Sequence, residues 1–199
     1  MSFRIENKYM ISNEKSFEFY NFLNDNSASI LFPKRQVLSI YFDNDEFTSY
    51  HNSIEGVVPR KKIRLRCYPE ITELNQIYNL EIKINSPEGR FKQTKKNIDF
   101  KKLINFGYHD SIYGLCKPII EVSYIREYFK IFNLRITVDK HLRYKNYNNA
   151  KTKLLPNSII FEVKSENLNN LDFIENNIFF QKTRFSKFCN GIEELNLVH

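Results

Sequence analysis

The 199-residue chain has no tryptophan, five glycines, six prolines and three cysteines. So little glycine and proline excludes collagen-like and low-complexity chains. Cys67, Cys116 and Cys189 are odd in number, far apart and in no paired spacing, which speaks against a disulfide framework or a zinc site and for free thiols in a reducing compartment. His51, His109, His141 and His199 are equally scattered. No apolar run approaches the roughly 18–20 residues that a membrane-crossing helix needs. The opening Met-Ser-Phe-Arg-Ile-Glu-Asn-Lys is charged too early for a signal peptide. The expectation is a folded cytoplasmic protein without a membrane segment of its own.

What the chain does have is aromatic and basic. Eighteen Phe and twelve Tyr within a 42% hydrophobic composition rule out disorder. A length near the ordinary domain size predicts one domain over residues 1–199, able to bury about 70% of its unfolded surface. Thirty Lys and Arg against 23 Asp and Glu give a net charge of +7. Such a balance favours an anionic partner, and the placement of the charges decides which kind.

Alternation with period two dominates the sequence. In residues 60–68 Ile63, Leu65 and Cys67 oppose Lys62, Arg64 and Arg66, and in 78–85 Leu80, Ile82 and Ile84 oppose Glu81 and Lys83. Residues 3–11, 36–43, 118–129, 134–143 and 158–165 read as further strands, and 89–98 as the hairpin partner after Pro87-Glu88-Gly89. Helices are predicted after Ser12 or Asn13 with Phe17, Tyr20 and Leu23 on the buried stripe, over 99–106, near 168–177 and over 185–195. The sum is an α+β fold of about eight strands, mainly antiparallel, closed into a β-barrel with flanking helices. Arg64, Arg66, Glu81, Lys83, Arg126, Arg135, Asp139, Glu162 and Lys164 then face inward. Clustered like charge is costly without a counter-charge, and arginine forks suit the oxygens of an extended polyanion.

The series Arg4-Ile-Glu6-Asn-Lys8-Tyr9, Ser39-Ile-Tyr41-Phe-Asp43, Lys62-Ile-Arg64-Leu-Arg66-Cys-Tyr68, Leu80-Glu81-Ile-Lys83, Tyr124-Ile-Arg126, Arg135-Ile-Thr137-Val-Asp139, Phe161-Glu162-Val-Lys164 and Arg184-Phe-Ser186-Lys187-Phe188-Cys-Asn-Gly191 spans nearly the whole chain. In this order it resembles the triphosphate tunnel metalloenzymes. Within them it is most similar to the catalytic domain of the vacuolar transporter chaperone (VTC) complex, a polyphosphate polymerase family. The sister CYTH branch opens on Glu-x-Glu-x-Lys, whereas Arg4 stands at the first of those glutamates here.

The resemblance implies transfer of the γ-phosphoryl group of ATP, or another nucleoside triphosphate, to a growing inorganic polyphosphate chain. Lys8, Arg64, Arg66, Lys83, Arg126, Arg135 and Lys187 would clamp the reacting phosphates, and Lys95, Tyr124, Arg184 and Ser186 would contact phosphate oxygens. Glu162 would ligate Mn²⁺ or Mg²⁺, with Glu6 and Glu81 as supporting carboxylates. Asn97 would stand where the family carries an arginine on the hairpin. A separate membrane-protein partner is also implied. A metal-dependent triphosphatase of the CYTH kind and a polyphosphate or inositol-phosphate binding module remain alternatives. Nucleic acid is disfavoured, because the charges lie on strand faces and no recognised binding motif occurs.

Overall fold

Strand-forming alternation and helix caps account for most of the chain's elements in the computed structural model, which describes residues 5–69, 76–166, 173–174, 176–177 and 180–198. Its strands are β1 (Ile5–Ser12), β2 (Ser29–Asp43), β3 (Arg60–Cys67), β4 (Asn79–Ser86), β5 (Gly89–Lys95), β6 (Tyr108–Asp110), β7 (Gly114–Ile131), β8 (Leu134–Asn146), β9 (Thr152–Leu154) and β10 (Ser158–Ser165). The helices are α1 (Ser16–Asp25), α2 (Thr48–Glu55), α3 (Phe100–Phe106) and α4 (Lys187–Glu194). Arg4 and most of the helix expected near 168–177 lie outside the described residues. No helix among the described residues is long and apolar enough to cross a membrane.

The fold is α+β, and every strand pair with an assigned register is antiparallel. Strand order runs β1-β10-β8-β7-β2-β3-β4-β5, with β6 added to β7 and β9 to β8. The expected closed barrel is corrected here: among the described residues the ladder is an open path ending at β1 and β5. The physical reason lies at its two edges. The outer edge of β1 is already engaged by a later segment, with a bridge between Tyr9 and Lys182 and a hydrogen bond from Thr183 N–H to the Lys8 carbonyl. Strand β5 is exposed from Arg90 to Lys95 and carries Lys92 and Lys95, the charged kind of edge that resists further pairing.

Contacts divide the chain into two units, each discontinuous in sequence. The first comprises Met1–Gln36, Tyr124–Leu142 and Leu155–Phe185, and the second Val37–Ser123, Arg143–Leu154 and Ser186–His199. In the first unit, the apolar faces of β1, β8 and β10 meet α1 around Phe161. Tyr9 stacks on Phe161 at 4.6 Å and Phe19 at 4.2 Å, with Leu23, Ile136, Val138 and Val163 buried around them. Burial of each such side chain contributes about 1.5–3 kcal/mol. Helix α1 begins at Ser16, whose N–H reaches the Asn13 carbonyl at 3.1 Å, instead of after a side-chain cap at Ser12 or Asn13. Its buried positions are therefore Phe19 and Leu23, while Phe17 faces solvent.

In the second unit, Ile40, Phe42, Ile63, Leu65, Leu80 and Ile82 form the core beneath β2, β3 and β4, against which Leu103 and Ile104 of α3 pack. Buried Asp43 accepts hydrogen bonds from the N–H groups of Asn44, Ser49 and Tyr50, so it anchors the start of α2. Burial raises its carboxyl above the usual range despite those three donors. The aspartate of the Ser-Ile-Tyr-Phe-Asp motif is thus a structural anchor for the turn into α2. Ser186 caps α4 by accepting from Cys189 N–H. A Cβ at Gly191 would lie 2.7 Å from the Tyr144 ring and 2.8 Å from Ile120, so glycine lets α4 approach closely. That approach fixes where Ser186 and Lys187 sit.

Candidate phosphate-binding site

Each unit carries one polar sheet face. In the first unit, strand register aligns Glu6, Lys164 and Arg135 in one transverse row, and Lys8, Glu162 and Thr137 in the next. Directly paired residues share a face, with neighbouring strands about 4.8 Å apart. Lys164 Nζ lies 3.3 Å from Glu6 and 3.6 Å from Glu162. Burial pulls its ammonium below the ordinary lysine range; Glu6 opposes this, while the charges of Arg126 and Arg135 reinforce it. Lys8 lies 3.4 Å from Glu6 and donates to the Phe185 carbonyl at 3.1 Å.

On β7, Arg126 donates from Nε and Nη2 to the two oxygens of Asp139, at 2.5 and 2.7 Å, and lies 5.2 Å from the Tyr124 ring centroid. Burial alone would lower the Arg126 pKa, but Asp139 reverses this and raises it. Arg135 lies over the rings of Phe32 and Tyr128, and Arg35 Nε donates to the Tyr128 hydroxyl at 2.9 Å.

In the second unit, Arg64 donates from Nε at 2.9 Å and Nη2 at 2.6 Å to Glu81, and from Nη1 at 2.9 Å to the Tyr41 hydroxyl. Arg66 Nε donates to Ser39 at 3.0 Å. Lys62 donates to Ser186 at 2.8 Å, and Phe188 stacks on Tyr41 with centroids 5.1 Å apart. Burial would raise the Tyr41 phenol, but Arg64 and Arg66, helped by Lys187, hold it down to about 8.

Burial would likewise raise Glu81, yet Arg64, Arg66 and Lys92 take it from an ordinary 4.5 down to about 2. A depressed carboxylate stabilises the fold fully above its unfolded pKa and loses that contribution as pH falls through the folded value. Urea unfolding should therefore show a stability gap between wild type and Glu81→Gln that shrinks as pH falls from 4.5 toward 2. A gap unchanged over that window would remove the ion-pair assignment.

The structure brings Glu6, Lys8, Tyr124, Arg126, Arg135 and Glu162 onto the first unit's face. Arg64, Arg66, Glu81, Lys83, Ser186 and Lys187 belong to the second unit. Arg184 is exposed. Two expectations on the hairpin are corrected. Lys95 pairs with Leu80, on the apolar side of β4, whereas Lys92 pairs with Lys83 and Thr94 with Glu81. Asn97 lies beyond β5 at φ +53°, in a bend, so Thr94 is the residue that follows Lys92 on the polar face. Sequence reasoning missed Arg35 because it began β2 at residue 36; continuing the parity of Ser39 and Tyr41 backwards would have reached it. The alternation puts Asp139 and Lys164 among the inward-facing charges without assigning either a contact of its own, and Tyr41 stands only within a motif.

Among the described residues no cluster of three or more His, Cys, Asp or Glu could cage a metal by itself. Mg²⁺ commonly uses one or two carboxylates completed by substrate phosphates and water. Glu162 with Glu6 fits that mode. Thr137, 1% exposed, adds a hydroxyl oxygen without a hydrogen-bond partner among the described residues, directly across from Glu162.

The family model of the VTC domain matches residues 3–114 and 109–196. The chain belongs to the VTC domain family. No curated protein sequence matches this VTC domain. Among solved structures it is similar to a candidate adenylate cyclase from Vibrio parahaemolyticus, at 14% identity and a TM-score of 0.55, covering 99% of both chains. It is also similar to a chain of the Schizosaccharomyces pombe Mediator head module, at 8% identity and a TM-score of 0.55, covering 90% of the VTC domain and 96% of that chain. At such identities the likeness is one of fold.

Proposed function

We propose that residues 1–199 act as a polyphosphate polymerase domain, moving the γ-phosphoryl group of ATP to the end of an inorganic polyphosphate chain and releasing ADP. The observation that carries this reading is the VTC domain match along nearly the whole chain. It is supported by polar faces on which buried arginines are held by carboxylates and hydroxyls. Phosphoryl transfer asks little covalent chemistry of a protein; it needs in-line positioning and neutralisation of spreading negative charge.

In this reading Lys8, Arg126 and Arg135 in the first unit, and Arg64, Arg66, Lys83 and Lys187 in the second, hold phosphate oxygens. Tyr124, Ser186 and Arg184 add contacts, and Lys92 takes the role first expected of Lys95. Glu81 and Tyr41 orient Arg64, and Asp139 orients Arg126, so the guanidinium groups are positioned before substrate arrives. Glu162, with Glu6 and Thr137 beside it, would hold Mn²⁺ or Mg²⁺, which would supply positive charge to offset the negative charge of the phosphates. A cytoplasmic site of action and a separate membrane-protein partner belong to the same proposal.

The test is incubation with ATP and Mn²⁺ or Mg²⁺, with products resolved by gel and by ADP and phosphate assays. ADP with long polyphosphate is the expected result. ADP with free phosphate, or tripolyphosphate breakdown, would move the chain to the triphosphatases. Tight triphosphate binding without turnover would make it a binding module.

A further inference from the structure

Phe32 lies in the first half of β2, where Lys34, Arg35 and Gln36 are exposed, and is itself 48% exposed. It is held in a specific arrangement. It meets Tyr128 edge to face at 5.6 Å and 90°, and the Arg135 guanidinium lies 5.9 Å from its centroid. Arg135 is also 5.7 Å from the Tyr128 ring, which Arg35 grips through its hydroxyl while lying 5.1 Å from the ring centroid. Two arginines and two aromatic rings thus form one cluster where β7 ends and β8 begins.

A purely inorganic polyanion has no use for an exposed aromatic ring beside its arginines. A nucleotide does: its phosphates are met by guanidinium groups, and its base offers a π-face that stacks on an aromatic side chain. We propose that Phe32 is the stacking platform for the base of the nucleoside triphosphate. The Arg35–Tyr128 pair fixes the platform, and Arg135 takes the phosphate tail leading away from it. This rests on the proposed use of a nucleoside triphosphate. It deepens that reading by naming the residue that separates a nucleotide from inorganic tripolyphosphate. Stacking is tolerant of base identity, so discrimination is between nucleotide and naked phosphate more than among bases.

Calorimetric titration of the full chain with ATP and with tripolyphosphate tests the assignment. Phe32→Ala should weaken ATP binding about 10-fold, within the range measured for stacked bases, and leave tripolyphosphate affinity unchanged. Phe32→Trp should restore ATP affinity, which a merely destabilised strand would not do. Arg135→Ala should weaken both ligands. If wild type binds both ligands and Phe32→Ala weakens neither, or both equally, the platform is overturned while the triphosphate reading stands. If wild type binds tripolyphosphate but not ATP, the nucleotide reading falls and the platform with it.

Discussion

Glu162→Gln is expected to lower metal-dependent turnover on the order of 100-fold or more. Triphosphate binding in metal-free buffer should stay within about 3-fold of wild type, because a cation clamp does not depend on this carboxylate (a change of less than ~1 kcal/mol). The amide keeps the shape and the position opposite Lys8 and Thr137. It loses the charge that would hold a divalent cation and that now lies 3.6 Å from Lys164. Single-turnover assays across a metal titration, paired with metal-free calorimetry, separate the two effects. Full activity in the variant would take the metal role away from Glu162. A parallel collapse of metal-free binding would instead make it a structural partner of Lys164.

Arg126→Leu should be the most destabilising change on the first unit's polar face. It leaves Asp139, 1% exposed, without the guanidinium that takes both its oxygens. Breaking one side of a buried pair costs about 3–5 kcal/mol, whereas replacing both sides is often neutral. The double variant Arg126→Leu, Asp139→Leu should therefore recover stability in urea unfolding. It should not recover ligand binding. Wild type gains about 2.7 kcal/mol of stability at tripolyphosphate concentrations near 100 times Kd. The double variant should show a much smaller rise in melting temperature at the same concentration. A double variant that regains stability and the full tripolyphosphate shift would make Arg126–Asp139 a purely structural pair.

Much of this was legible because half-buried strands record their own orientation. Lys62, Arg64 and Arg66 alternate with Ile63, Leu65 and Cys67, and the polar set of β3 lies on the side away from the core. The same rule placed Glu162 and Lys164 on β10. It failed where burial no longer distinguishes the two faces. Strand β5 is exposed throughout Arg90–Lys95 and carries a single apolar residue, Phe91, so the weak alternation left its phase open; the register pairs Lys92 with Lys83 and Lys95 with Leu80. The first half of β2 is exposed for the same reason, which hid Phe32 and Arg35. Closure was misjudged differently. Alternation says which way side chains point, but the occupancy of β1's outer edge is decided by the distant segment at Lys182 and Thr183. The VTC motif order carried the family, and the roles of its individual residues rest on the experiments above.

The register between β1 and β10 sets a timetable for synthesis. Ile5 pairs with Ser165 and Ser12 with Ser158, so β1 is made long before its hydrogen-bonding partner β10. At ordinary translation rates of about 5–20 residues per second, β1 waits roughly 8–30 s before β10 emerges from the ribosome. Throughout that interval Tyr9 lacks Phe161, the ring on which it finally stacks. A nascent chain of this protein is therefore a prolonged client for whatever shields unpaired strands at the exit tunnel, and its yield in a cell should track that supply more closely than the stability of the finished molecule.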